Sequence, residues 1–182
     1  MLKITGGTYR SRMIDLPESG TVPTKERVRE ALMSALANDI PNAQVLDLFA
    51  GSGALGIETL SRGASFCSFV DISKTACSIL KTSLAKLKEE KAEVLALDFQ
   101  TALKRFQEQK RSFDIVFLDP PYIQLSYYEE AVRFLKENGL LSERAVLVLE
   151  FEGEPEFAFE GFAKQKRYNY GRTHVLMLRN PL

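Results

Sequence analysis

The chain has 182 residues, 45% hydrophobic and 26% charged, with 24 Lys+Arg against 24 Asp+Glu. That length suits one domain, and the composition excludes a disordered chain, a fibrous one, and a protein that holds nucleic acid by bulk charge alone. With only Cys67, Cys77 and His174 to draw on, no Cys/His metal cluster can be assembled; no apolar run reaches roughly 18 residues and no apolar leader is present, so a soluble, cytoplasmic protein without a metal is expected.

The start, MLKITGGTYRSR, is basic and Gly-rich, and a helix is expected from Thr24, as its cap, to about Ala37. QVLDLF (44–49) has the character of a buried parallel strand; it breaks at AGSG into a helix that Gly63 ends. Strands follow at 65–71, 93–98, 113–119 and 145–151. The expected helices between them run from Ser73 to about Lys88, from Phe99 to Gln107 and from Tyr127 to Glu137. Runs at 163–170 and 173–179, joined at Gly171, suggest a terminal hairpin. Strand–helix alternation of this kind gives an α/β, doubly wound, mostly parallel sheet with an antiparallel C-terminal edge. The expected division is a small N-terminal extension, residues 1–40, and a catalytic domain, residues 41–182.

Open α/β sheets bind ligands beyond the carboxyl ends of their strands. Asp47, Asp71, Asp98 and Asp119 all fall at such ends. Gly51, Gly53 and Gly56 spell G-x-G-x-x-G between a strand and a helix, with Asp71 placed 20 residues after Gly51 to accept from ribose hydroxyls. Both a nicotinamide dinucleotide and S-adenosylmethionine meet those requirements. Asp47, four residues before the turn, would repel a pyrophosphate but suits an ammonium or sulfonium, which favours the methyl donor. Asp119-Pro120-Pro121-Tyr122 is sharper: prolines stiffen the backbone so that the Asp119 carboxylate and Pro120 carbonyl form a rigid acceptor pair for a planar amine, on whose ring Tyr122 can stack.

The ordering of Asp47-Leu-Phe-Ala-Gly-Ser-Gly53, Asp71, Asp98 and Asp119-Pro-Pro-Tyr122 resembles class I adenosylmethionine-dependent methyltransferases that act on amines. More narrowly the chain resembles the bacterial 16S ribosomal RNA guanine-N2 methyltransferases of the RsmD type. The likeness takes in Gly6-Gly7-x-x-Arg10-x-Arg12, the Pro23 to Leu32 segment and Tyr170-Gly171-x-Thr173. It departs at Ser11, where the family usually has Gly, and at Val22 and Met33. The resemblance implies a seven-stranded sheet and S-adenosyl-L-methionine held by Asp47, Phe49, Gly51, Gly53, Asp71, Ile72, Asp98 and Phe99. It also implies guanine held by Asp119, Pro120 and Tyr122, with free 16S ribosomal RNA or an assembling small subunit as the partner of a monomer.

The ends of the chain are basic: residues 1–14 carry Lys3, Arg10 and Arg12, and residues 161–182 carry Lys164, Lys166, Arg167, Arg172 and Arg179, with no acid in either stretch. Arg10, Arg12, Arg27 and Arg29 are therefore the expected phosphate contacts. Rival assignments are amino-methylation of adenine N6 or of a protein glutamine, and a non-catalytic nucleotide-binding module.

Overall fold

A computed structural model describes residues 1–18, 26–120, 124–157 and 159–180. Strands β3 (Gln44–Asp47), β4 (Phe66–Asp71), β5 (Ala92–Ala96), β6 (Phe113–Leu118), β7 (Leu141–Glu152), β8 (Lys164–Tyr170) and β9 (Thr173–Arg179) form one sheet, ordered β5-β4-β3-β6-β7-β9-β8. The first five are parallel; β9 pairs antiparallel with β7, and β8 pairs antiparallel with β9. Helices α2 (Ala54–Ser61) and α3 (Lys74–Leu87), with α1 (Glu26–Ala35), cover one face; α4 (Phe99–Glu108) and α5 (Leu125–Glu137) cover the other. This is the expected doubly wound sheet. Within the described residues no helix is long and apolar enough to cross a membrane.

Several bounds differ from expectation for local reasons. Strand β3 ends at Asp47 because the chain then turns, bringing the Ala50 N–H to the Val70 carbonyl at 2.8 Å. Strand β7 starts four residues early, at Leu141, and its register against β6 shifts between Phe113 and Ile115. The expected cap of α1, Thr24, lies outside the described residues. A two-stranded sheet of β1 (Leu2–Lys3) and β2 (Met13–Ile14) was not foreseen. Two-residue strands are too short to show a period.

Residues 1–18 and α1 are built into the main core: Leu2, Ile4, Ile14, Val28, Leu32, Met33 and Leu36 pack in one cluster with β3, β7 and β9. Helix α2 is consequently buried on every side, all eight residues included. The Gly6-Gly7 segment closes its C-terminal end, where orphan carbonyls need donors. Thr8 N–H donates to the Ser61 carbonyl at 2.7 Å and Tyr9 N–H to Ser61 Oγ at 2.9 Å. Gly7 has φ +74°, and a Cβ there would stand 1.9 Å from the Ser61 carbonyl oxygen, so no other residue fits.

Glu58 of α2 is 0% exposed. Its Oε1 accepts from Thr5 N–H at 2.6 Å and lies 3.8 Å from Arg29 Nε; its Oε2 accepts from Thr5 Oγ1 at 2.8 Å and from Arg62 Nη1. Arg29, 1% exposed, also donates from Nη2 to the Lys3 carbonyl at 2.7 Å. Removing one member of a buried ion pair strands its partner's charge, so Glu58→Ala should destabilise the fold by about 3–5 kcal/mol. Urea denaturation of parent and variant reads this directly.

Ser11, which stands where the resembled family usually has Gly, has φ +68°. Left-handed backbone costs a residue with a Cβ about 1–2 kcal/mol, partly offset in a Gly variant by the greater entropy of its unfolded chain. Ser11→Gly should therefore stabilise the protein, by up to about 1 kcal/mol, in the same denaturation assay.

Candidate active site

The carboxyl ends of β4, β3, β6 and β7 place Asp71, Asp47, Asp119 and Glu150 in that order along one edge. Between β3 and α2 the chain turns through Gly51 (φ +55°) and Gly53 (φ +79°), both left-handed and so suited to Gly. Nothing lies within 4 Å of where a Gly51 Cβ would stand, which leaves bare backbone facing open space. Gly56 serves packing instead: a Cβ there would meet Phe69 Cε1 at 2.3 Å and Cys67 Sγ at 2.7 Å.

Asp71 organises this turn. Its Oδ2 accepts from Gly51 N–H and its Oδ1 from Ser73 N–H, each at 2.8 Å, so the carboxylate that follows β4 fixes the loop that follows β3. Beside it Ile72 is 76% exposed, an apolar side chain left in the open at the mouth of the site. Asp98 caps α4, its Oδ1 accepting from Thr101 N–H and its Oδ2 from the Thr101 hydroxyl, both at 2.8 Å. Those bonds hold its carboxyl below the ordinary range. Phe99 is buried with its ring centre 5.3 Å from Phe49 and 5.0 Å from Tyr127; Phe49 and Tyr127 are stacked at 6.3 Å. Tyr127, expected only as the start of a helix, completes an aromatic wall with Phe49 and Phe99.

Asp47 is 2% exposed, and its Oδ2 accepts from Gly56 N–H at 3.2 Å. Burial, with Asp71 and Glu150 adding like charge, pushes its carboxyl up to about 7 against the pull of the Gly56 bond. Asp119, half-buried beside the buried Pro120, is pushed well above the carboxylate range by burial and then by Glu150, Asp47 and Glu152. Pro121 and Tyr122 lie outside the described residues. Glu150, within the strand expected at 145–151, is 9% exposed. Leu149 pairs with Leu118, which sets Glu150 beside Asp119, and the Tyr128 hydroxyl donates to the Glu150 backbone carbonyl. An acid at the end of a buried strand was the signal available. Among the described residues no group of three or more His, Cys, Asp or Glu side chains is arranged to hold a metal ion.

Arg29 does not reach solvent, which corrects its expected role as an RNA contact. It shares the i, i+3, i+4, i+7 stripe of Leu32, Met33 and Leu36, so the periodicity of α1 had placed it inside. Arg10, Arg12 and Arg27 are exposed. Arg12 donates to the Lys86 carbonyl at 3.0 Å, at the C-terminal end of α3. The active edge faces the opposite end of that helix, about 20 Å away at ~1.5 Å per residue.

These features can be set against known proteins. Ribosomal RNA small subunit methyltransferase D of Escherichia coli K12 is 38% identical over 154 residues, 84% of this chain and 76% of that protein. A family model described as "Conserved hypothetical protein 95" matches residues 2–179. The chain belongs to this family, that of ribosomal RNA small subunit methyltransferase D. Among solved structures, the putative methyltransferase yhhF from Escherichia coli superposes with a TM-score of 0.87 at 33% identity, covering 99% of this chain and 98% of that one. A putative methyltransferase complexed with SAH shares the fold, with a TM-score of 0.62 at 14% identity over 81% of this chain and 49% of that one.

Asp47 gives a pH dependence whose sign follows from its burial. The folded carboxyl titrates near 7 and an unfolded one near 4, so folding binds a proton between those values. Stability is therefore greatest below about pH 4 as far as this group is concerned and is lost as pH rises through 7, by roughly 4 kcal/mol in all. Asp47→Asn, whose carbonyl can still accept from Gly56, should remove that slope and be the more stable protein at pH 8. Denaturation midpoints of both proteins from pH 5 to pH 8 will show whether the curves converge toward the acid side.

Proposed function

We propose that this chain transfers a methyl group from S-adenosyl-L-methionine to the exocyclic N2 amine of a guanine in small-subunit, 16S, ribosomal RNA. The observation that carries it is Asp119: a carboxyl group held among Asp47, Glu150 and Glu152 at the end of β6, followed by Pro120, and next to the strand whose glycine turn lies open. Membership of the family, and the printed name of the Escherichia coli relative, support the ribosomal RNA substrate.

The residues present fit the cofactor. Bare backbone at Gly51 would pass under the methionine portion, with Gly53 shaping the turn against Leu80, Asp71 would accept from ribose hydroxyls, and Ile72, Phe49 and Phe99 with Asp98 would enclose the adenine. Asp47 offers negative charge to the cationic part. When bound, the cofactor supplies an electrophilic methyl group on a sulfonium.

The rest of the chemistry falls to side chains of this chain. Asp119 and the Pro120 carbonyl accept from the amine and aim its nitrogen; Tyr122, expected to stack on the guanine, lies outside the described residues. A carboxylate crowded by Glu150 and Asp47 is poorly stabilised alone, so it gains most when positive charge develops on the nitrogen it touches. No general base is required, because the methylated amine can lose its proton to water. Of the expected phosphate contacts, Arg10, Arg12 and Arg27 keep that assignment as exposed cations.

Two substitutions should separate the two halves of the site. Asp119→Ala should abolish methyl transfer and leave adenosylmethionine affinity within a few-fold. Asp71→Ala should weaken cofactor binding ten-fold to more than a hundred-fold, since a charge-assisted acceptor is worth about 1.5–3 kcal/mol. Calorimetric titration beside a labelled-methyl assay on 16S ribosomal RNA decides both, and mass mapping of the modified nucleotide tells guanine N2 from adenine N6. A chain that binds the cofactor and methylates neither RNA nor a protein glutamine would be a binding module instead.

A further inference from the structure

The outer strand of the sheet carries chemistry that the reaction itself does not use. In β8 every residue from Lys164 to Arg167 is exposed, and Tyr168 and Tyr170 are half-buried. Residues 161–182 contain five cations and no acid. Arg179 is engaged by Asp39 at 2.8 and 3.0 Å, whereas among the described residues no acid lies within ion-pair distance of Lys164 or Lys166.

Register places this strand on the active face. Tyr168 pairs with Val175, which pairs with Glu150, and Tyr170 pairs with Thr173, which pairs with Glu152. Directly paired antiparallel residues point to the same side, so Lys164, Lys166, Tyr168 and Tyr170 share the side of Glu150, and Glu150 adjoins Asp119. Two strand spacings, about 10 Å, separate the tyrosines from Glu150, and three, about 14 Å, separate them from Asp119. The two rings lie parallel, 4° apart in plane with centres at 6.3 Å, and Lys166 Nζ stands 4.9 Å from the Tyr168 ring centre. A small cleft of about 70 Å³ opens among Lys164, Lys166, Tyr168, Met177 and Arg179.

Resting on the RNA reading above, we propose that β8 docks the single-stranded RNA flanking the target nucleotide, with Tyr168 and Tyr170 as a base-stacking platform and Lys164 and Lys166 as phosphate contacts. Aromatic faces beside a groove of positive charge are the recurring chemistry for unpaired nucleotides, because every base has a π-face and every linkage a phosphate. A span of about 14 Å suits a neighbour about two nucleotides from a guanine held at Asp119. Edge strands also carry Lys to prevent pairing with other chains. That need would be met by charge alone and does not call for two parallel tyrosines on the side of the active row.

The test uses the full chain, anisotropy of a fluorescein-labelled unstructured RNA dodecamer at several salt concentrations, and steady-state methyl transfer to 16S ribosomal RNA. Lys164→Gln with Lys166→Gln should weaken RNA binding and reduce the slope of log K against log salt by about 1.4, two contacts at about 0.7 each. Tyr168→Leu with Tyr170→Leu, which keeps apolar bulk, should weaken binding by about five-fold to a hundred-fold and raise KM for RNA with kcat held. Tyr168→Phe with Tyr170→Phe should restore parental affinity. Lys91→Gln with Lys104→Gln, an equal charge loss on exposed residues elsewhere, should leave the slope unchanged. An adenosylmethionine-induced rise in melting temperature certifies each variant as folded; if the Leu pair lacks it, the Lys and Phe pairs decide. Parental affinity and slope in the Lys pair, or equal losses in the control pair, would overturn the docking surface while the RNA reading stood. A parent that neither binds the dodecamer nor methylates ribosomal RNA would overturn that reading, and the surface with it.

Discussion

A single carboxylate with no access to water ties the molecule together. Glu58 accepts from Thr5, is paired with Arg62 just past the end of α2 and with Arg29 of α1, and so joins three segments that are far apart in sequence. A buried acid of this kind is tolerated only when its partners are all in place, which makes the arrangement close to all-or-none. Helix α2 is fixed by it, and the glycine turn is the start of α2. Gly56 N–H on Asp47 and Gly51 N–H on Asp71 then carry that placement to the ligand edge. The geometry of the turn thus depends on a group at the far side of the helix.

The ligand edge shows the opposite economy of charge. Asp47, Asp119 and Glu150 lie at the carboxyl ends of neighbouring strands, and Asp47 and Asp119 are each raised by burial and by the nearby Glu150. Without a cation between them this row opposes folding. Such a cost is sustained where a positively charged ligand, or positive charge arising during reaction, offsets it. The aromatic wall of Phe49, Phe99 and Tyr127 closes one side of the edge, and the exposed Ile72 marks its rim.

The sheet was legible because buried parallel strands read as short continuous apolar runs, and Val45-Leu46, Phe69-Val70 and Ile115 to Leu118 are such runs. The glycines and acids at their ends were legible for the same reason: they interrupt those runs at fixed places. What failed to show were residues whose surroundings depend on distant segments. Arg29 looks like a surface cation until the stripe of α1 is set against Glu58, 29 residues away and on another helix. Glu150 sits in a stretch of acids at alternate positions, and only the pairing of β7 with β6 separates it from the exposed Glu152. Tyr127 differs from any amphipathic helix residue only by its stacking on Phe49.

The strand order also has a consequence for how the chain is made. Strand β3 is the first of the large sheet to leave the ribosome, and it occupies the middle, paired with β4 at once but with β6 only after residue 118 has been synthesised. Until then one backbone edge of its Val45-Leu46-Asp47 stretch is unsatisfied, and Thr5 and Gly6 wait some fifty residues for α2. Parallel sheets assembled from non-local pairs form slowly and expose apolar edges while they do. The half-made sheet therefore passes through an interval with an open central edge, which closes when Asp114 at the base of β6 accepts from the Gln44 N–H at 2.8 Å and locks the centre of the sheet.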